Sequence, residues 1–263
     1  MLAATKPKIH IVSMSRRNVD EQRIKDQFTS QFKNVTYYQG DCLKPETYPK
    51  DLEEFDAIIH SVGAIMEGFD YKEVLQKGMN SKIFQKRDPI NIIQQLLAQG
   101  MKPKYDESLE AMNRDSCKLM AEHFNNACKK QDKKGHFVFI SASKSITPVL
   151  QKYSDMKEQA ESFLLNNCPE IIPVILRPGF VWSENERSWS VPVKVANDFG
   201  YELKKKVLPL IPESRLIDHL FPQSQSTKLS LLADFAIQGA LGQLDDLNKS
   251  HIWTNEKMNE MAK

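Results

Sequence analysis

Phe137-Val138-Phe139-Ile140-Ser141, then Tyr153-Ser154-Asp155-Met156-Lys157-Glu158-Gln159-Ala160-Glu161, then Ile171-Ile172-Pro173-Val174-Ile175-Leu176-Arg177-Pro178-Gly179 are the stretches on which the fold turns. The first is an unbroken run of β-branched and aromatic residues closed by a serine, the mark of a strand buried on both faces. The third is a second such run, closed by Arg-Pro-Gly. Between them lies a segment of helical spacing. Strand, helix and strand in that order make a crossover unit with parallel strands.

The middle stretch carries the chemistry. Tyr153 and Lys157 stand four residues apart, one helical turn, so both lie on one face. An ammonium beside a phenol favours the phenolate and lowers the tyrosine pKa. Ser141, twelve residues before Tyr153, closes the preceding strand and offers a hydroxyl to polarise a carbonyl. Such groups move a proton while a nicotinamide moves a hydride. A bare Tyr-x-x-x-Lys also arises by chance, as a half-buried tyrosine beside a solvated lysine. The ordered strand, serine, helix and strand around it distinguish this one.

Outward from that core, further strands alternate with helices. Strands are read at Lys8–Met14, Val35–Tyr38, Ala57–Ile59 and Ile252–Trp253. Helices are read at about Val19–Phe32, Glu46–Leu52, Ser108–Lys129, Val191–Leu203 and Leu229–Leu241. Residues 67–107 are charged and irregular and read as an insertion. The Lys129–Lys134 charge run reads as a solvated turn, and Leu208-Pro-Leu-Ile-Pro212 is punctuated by proline. The whole is an α/β chain with a doubly wound parallel sheet. Residues 1–182 form the ligand-binding region, and 183–263 a C-terminal substrate or partner region packed on it. In such folds ligands bind beyond the carboxyl ends of the strands. Arg16, Asp41, Ser61, Gly63, Ser141, Pro178 and Gly179 all fall there.

Composition sets the limits. With 263 residues, 41% hydrophobic and 27% charged, the chain can bury a full core as one domain. A net charge of +2 gives no global basic field, so nucleic acid is not expected as a partner. No apolar stretch approaches a membrane span. Cys42, Cys117, Cys128 and Cys168 form no C-x-x-C pair and have no histidine cluster; they read as free, buried thiols in a reducing compartment, with no metal site. Residues 1–8 run straight into the first strand and are too short for a secretory or transit leader, so import either does not occur that way or uses an internal signal.

The chain resembles the short-chain dehydrogenase/reductase superfamily, in its atypical branch, over nearly its whole length. The likeness is carried by Val12-Ser13-Met14-Ser15-Arg16, Gly40-Asp41-Cys42-Leu43-Lys44-Pro45-Glu46-Thr47-Tyr48, Ile59-His60-Ser61-Val62-Gly63, Met112-Asn113, Ile140-Ser141-Ala142, Tyr153 to Glu161, and Arg177-Pro178-Gly179-Phe180. The resemblance implies a Rossmann-like fold and a set of roles. Arg16 sits by the adenosine ribose and favours a 2′-phosphate, hence NADP(H). Asp41 and Cys42 border the adenine, and Ser61 and Gly63 run beside the middle of the cofactor. Lys157 holds the ribose hydroxyls and, with Tyr153 and Ser141, fills the acid–base positions. Pro178, Gly179 and Val181 flank the nicotinamide.

One part of the family pattern is missing. A dinucleotide fold opens with a strand, a glycine-rich loop and a helix that hold the pyrophosphate. Here Ser15-Arg16-Arg17-Asn18-Val19 follows the first strand, and no glycine precedes Gly40. Matched to the family, the chain starts at the second strand, lacking the first strand, the loop and the first helix. The first strand is central in the usual order, so its loss would bare two buried strand edges, at about 1–3 kcal/mol for each unsatisfied group. A second polypeptide is expected to supply it. The alternative takes Ile9–Met14 as the true first strand, with a degenerate loop at Ser15–Val19 and Asp41 as the ribose-binding acid.

The resemblance implies two alternative functions. The first is a reductase-fold subunit on the matrix side of the mitochondrial inner membrane, in a coenzyme Q biosynthesis assembly or in respiratory complex I, mainly structural. The second is an active NAD(P)H-dependent oxidoreductase using Tyr153, Lys157 and Ser141. A nucleic-acid- or protein-binding module reusing the sheet finds no support in the basic and aromatic residues.

Overall fold

The computed structural model describes residues 9–16, 34–64, 108–144, 148–185, 190–207, 221–244 and 251–262. Its strands are β1 (Ile11–Ser15), β2 (Val35–Gln39), β3 (Ala57–His60), β4 (Gly135–Ile140), β5 (Ile171–Arg177), β6 (Val181–Trp182), β7 (Thr227–Lys228) and β8 (Ile252–Thr254). Its α-helices are α1 (Ser116–Lys130), α2 (Pro148–Asn167), α3 (Ser190–Val207), α4 (Leu229–Ala240) and α5 (Asn255–Met261). The α/β, parallel character read from the sequence is observed. The helix expected at Val19–Phe32 and the 67–107 insertion lie outside the described residues, as does 208–212.

Every strand pair is parallel. The main sheet runs in the order β3-β4-β5-β8, and β1-β2 forms a separate ribbon, as does β6-β7. Side chains of β4 and β5 alternate between two cores, as the pleat requires. Phe137, Phe139 and Ile171 join Cys117, Met120, Ala121, Phe124, Ala160 and Leu164 of α1 and α2. Val138, Val174 and Leu176 join Leu232, Phe235, Ala236, Trp253 and Met258 on the other face. Helices thus cover both faces.

The region between β1 and β3 differs from the rest. Among the described residues β1 pairs with β2 and β3 with β4, and no ladder joins β1 to β3. Met14 of β1 and Ile58 of β3 nevertheless pack on the same apolar cluster. All five residues of β1 are only half-buried, and Ile59 of β3 is 44% exposed. Strands inside a parallel sheet are normally covered on both faces.

The alternative assignment, with Ile9–Met14 as the first strand, makes a topological demand. In the order 3-2-1-4-5-6, β1, β2 and β3 would then stand side by side with β3 outermost. The observed β3-β4-β5 succession instead matches the fourth, fifth and sixth positions of that order.

Local chemistry explains where the expected elements shift. In place of a helix at 46–52, 3-10 turns form at Pro45–Thr47 and Leu52–Glu54. Pro49 lies between them and has no N–H with which to continue a helix. Ser108 opens the helix leading to α1, its Oγ accepting from Ala111 N at 3.1 Å. A π turn then runs over Ala111–Asp115. α5, capped by Thr254 Oγ1 accepting from Lys257 N at 3.3 Å, was not legible beforehand.

Gly135 opens β4 where it crosses α1. A Cβ there would lie 2.4 Å from Phe124 Cζ and 2.7 Å from Cys128 Sγ, both buried. Gly135→Ala is expected to destabilise by about 1–3 kcal/mol through overpacking, read as a lowered urea midpoint with an unchanged slope.

Candidate functional site

The carboxyl ends of β3, β4 and β5 converge with α2 in a polar cluster. Lys157 is 4% exposed. Its Nζ donates to Ile140 O at the end of β4 (3.0 Å) and to Val62 O just past β3 (3.2 Å), and stands 4.6 Å from the centre of the Phe139 ring. Burial pushes its pKa down to about 8, with Cys117 and Glu161 nearby acting the other way. The ammonium therefore bridges two strands at the mouth of the sheet.

Gly63 and Asn113 complete that corner. Asn113 is fully buried; its Nδ2 donates to Ala64 O (2.7 Å) and Leu109 O (3.1 Å), and its Oδ1 accepts from Ala64 N (3.1 Å). The bond to Leu109 O takes a carbonyl four residues back, in competition with the helix ladder, at the π turn. A Cβ on Gly63 would meet Asn113 Oδ1 at 2.8 Å and Lys157 Nζ at 3.1 Å, so only glycine lets the β3 extension pass there. Asn113 was quoted for the resemblance but given no role; a lone asparagine in a helix carries no signal that it will clamp a distant loop.

One turn past Lys157, Glu161 is 3% exposed. Its carboxylate accepts from Ser141 Oγ and from Arg177, whose Nε lies 3.0 and 3.1 Å from Oε1 and Oε2 and whose Nη2 also donates to it. The pairing with Glu161 raises the Arg177 pKa. Ser141 is 3% exposed. The structure thus places Ser141 in an ion-pair cluster that ties α2 to the ends of β4 and β5. Tyr153 lies half-buried on α2, one turn before Lys157.

The remaining candidates spread along the strand ends. Arg16 is exposed beyond β1, where its carbonyl accepts from Gln39 Nε2 at 3.4 Å. Asp41 and Cys42 form a turn after β2, with Asp41 Oδ1 accepting from Leu43 N (3.0 Å) and Cys42 O accepting from Tyr48 Oη (2.6 Å). Burial and the Asp41 carboxylate raise the Cys42 thiol pKa, and Arg16 lies close enough to oppose them. Ser61 is exposed beyond β3. Pro178, Gly179 and Val181 follow β5; Gly179 N donates to Thr227 Oγ1 (2.9 Å), and a Cβ on Gly179 would fall 2.0 Å from Gln225 O. Buried His60, on β3, bonds Ser116 Oγ at 3.2 Å and lies by Phe137 and Phe139. Its pKa is pushed down to about 3 by burial first, then by Lys157. All four cysteines are free and buried.

A nicotinamide dinucleotide meets two different halves here. The Gly63–Lys157–Asn113 corner offers a buried, hydrogen-bonding cation of the kind a cofactor ribose would meet, while the space at Gly63 itself is taken by Asn113 Oδ1 and Lys157 Nζ. Among the described residues, no matching cradle for the pyrophosphate is seen. The stretch after β1 has no glycine, and Gly40 is filled by Met14 Sδ and Thr47 O, each 2.8 Å from where its Cβ would be.

Solved structures share this architecture. ElxO with NADP bound superposes with a TM-score of 0.57 at 13% identity, covering 98% of this chain and 92% of that one. Gluconate 5-dehydrogenase from Burkholderia cenocepacia, in complex with NADP and tartrate, gives 0.52 at 12% identity, covering 94% and 85%. A short-chain type dehydrogenase/reductase from Mycobacterium marinum gives 0.51 at 11% identity, covering 94% and 84%. The fold is therefore the Rossmann-like α/β fold of short-chain dehydrogenases/reductases. In sequence, the chain is 27% identical over 167 residues to MIOREX complex component 2 of Saccharomyces cerevisiae; the match spans 59% of this chain and 57% of that protein. No family model matches.

Two outcomes are expected. Glu161→Gln leaves Arg177 without its counter-ion and costs about 2–4 kcal/mol, less than for a fully buried pair because Arg177 is 28% exposed; equilibrium unfolding measures it, with Ser141→Ala expected near 1 kcal/mol. For Lys157, the folded pKa lies near 8 against the ordinary 10.5 of the unfolded chain. Between those values the unfolded chain holds a proton that the folded chain has released. Stability therefore rises with pH across that window, by up to about 1.4 kcal/mol per unit. In Lys157→Met that rise is absent, which urea titrations at the two ends of the window will show.

Proposed function

We propose that this chain is a short-chain dehydrogenase/reductase-fold subunit of a mitochondrial assembly on the matrix side of the inner membrane, of the quinone-biosynthesis or respiratory kind, and that its cofactor cleft is completed by another polypeptide. The observation that carries this reading is the interrupted sheet. β1 and β3 pack on one apolar cluster yet make no ladder with each other, and Ile59 of β3 is 44% exposed. A parallel strand added there would satisfy two backbone edges at once, the mode of strand complementation. The loop after that strand would bring the backbone N–H groups that a pyrophosphate needs.

With the slot filled, Arg16 faces the ribose 2′-phosphate and Asp41 and Cys42 the adenine. Ser61, Gly63 and Lys157 line the middle of the cleft, and Pro178, Gly179 and Val181 the nicotinamide end. The cofactor is NADP(H). The mainly structural role is favoured by Ser141, whose hydroxyl proton is committed to Glu161, so that as held it has none for a substrate carbonyl. The similarity to a component of a multi-subunit complex points the same way and supports the mitochondrial location.

A second reading, an active NAD(P)H-dependent oxidoreductase, is favoured by Lys157, buried at the cleft with its pKa lowered to about 8. In it Tyr153 is the acid–base, Lys157 lowers its pKa, and Ser141 must release Glu161 to orient the substrate oxygen.

The test is to purify the native assembly through a tag on this chain, denature it, and analyse what is released. The expected products are NADPH and a second polypeptide whose sequence contains strand, glycine-rich loop and helix, with Arg16→Glu lowering the NADPH recovered. A solved structure in which 1–263 alone closes the sheet defeats the partner proposal. Reductase turnover abolished by Tyr153→Phe would favour the enzymatic reading, and turnover surviving that change would remove tyrosine as proton donor.

A further inference from the structure

Helix α3 is built inside out. Its polar side chains face the protein. Asn197 Nδ2 donates to Ser224 O (3.1 Å) and Ser226 Oγ (3.2 Å), Asp198 Oδ1 accepts from Ser226 N (2.7 Å), Glu202 Oε1 accepts from Gln225 Nε2 (3.0 Å), and Lys204 Nζ donates to Gln223 Oε1. Several of its apolar side chains face outward, while Val191 and Tyr201 are half-buried. Val195 is 59% exposed, Phe199 69% and Leu203 39%, at intervals of four residues, hence in one stripe. Exposed Pro192 and Ala196 widen it. A helix resting on a protein in water shows the opposite arrangement.

The stripe ends in charge. The last turn of α3 holds Lys204, Lys205 and Lys206. Lys205 and Lys206 are exposed, and Lys206 follows Leu203 by three residues, continuing the stripe. We propose that the outward face of α3 docks on an anionic phospholipid bilayer, with Val195, Phe199 and Leu203 entering the boundary of the acyl chains and Lys205 and Lys206 resting on the headgroups. Exposed apolar residues joined to lysines are the composition of an interfacial helix.

A second copy of this chain suits the stripe less well. In an antiparallel pairing of two α3 helices, the lysines of each meet the first turn of the other, which holds no acidic residue. In a parallel pairing they meet each other. A bilayer accepts the apolar stripe and supplies the opposite charge together. This inference rests on α3 alone and holds whether or not the chain binds NADP(H).

The experiment is flotation of the full chain with vesicles of phosphatidylcholine, alone or mixed with phosphatidylglycerol. The wild type is expected to float with the mixed vesicles, less so at high salt. Phe199→Ser is expected to weaken binding about tenfold, and Lys205→Gln and Lys206→Gln about fivefold each, only on the mixed vesicles. Val195→Ser provides a second apolar variant should Phe199→Ser misfold, with circular dichroism as the check on folding. Wild-type protein that floats with neither vesicle overturns the proposal. So does equal flotation of folded Phe199→Ser or Val195→Ser and the wild type. A wild-type dimer that either apolar variant dissociates, without vesicle binding, assigns the face to a second copy instead.

Discussion

The carboxylate of Glu161 holds the cleft in register. A carboxylate removed from water is costly unless charge and hydrogen bonds surround it. Here Ser141 at the end of β4 and Arg177 at the end of β5 supply them. That cluster admits one placement of α2 along the sheet, because a slip of one residue would leave the carboxylate buried and unpaired. Lys157 then falls one turn earlier, under the carbonyls of Ile140 and Val62, and Tyr153 one turn earlier still. Asn113 secures the same corner from the other side by holding both backbone groups of Ala64. The convergence at the strand ends follows from satisfying buried polar groups, not from the apolar packing beneath them.

The two halves of the cleft differ in completeness for a physical reason. β4 and β5 have ladder partners on both sides and a core on each face, so there packing and hydrogen bonding agree. The β1-β2 ribbon attaches through Met14 and the turns near Tyr48 and Leu52, which bind it to the same apolar cluster as Ile58. Apolar contact is non-directional and tolerates an interrupted sheet. Backbone N–H and C=O groups do not. Among the described residues, no ladder joins β1 to β3. The likeness to NADP-bound structures, with TM-scores of 0.52 and 0.57 at 12% and 13% identity, shows the fold recurring while most side chains differ.

Much of the architecture was legible from periodicity. The runs at 137–140 and 171–176 became β4 and β5 because unbroken β-branched and aromatic residues suit strands covered on both sides. Leu109, Met120, Phe124 and Cys128 foretold the buried face of α1 and its approach. Tyr153 and Lys157 share a helix face because a turn of helix is four residues, whatever surrounds it. What local pattern could not supply was partnership at a distance. Nothing near Glu161 announces Arg177, sixteen residues away on another element, or that Ser141 would spend its hydroxyl there. Nor could the spacing of Asn113 reveal that it holds Ala64.

The order of residues by itself settled the alternation of strands and helices, the faces that would be apolar, and the lack of any glycine between the first strand and Gly40. These are properties of near neighbours and of composition. Tertiary structure alone decided which buried charges meet, that Lys157 lies in low dielectric with a lowered pKa, that β1 and β3 share a core without sharing a ladder, and that α3 turns its apolar stripe outward. Each depends on surfaces that meet only after the chain has folded back on itself, where the cost of burying a charge or baring an apolar face is set by elements far apart in sequence.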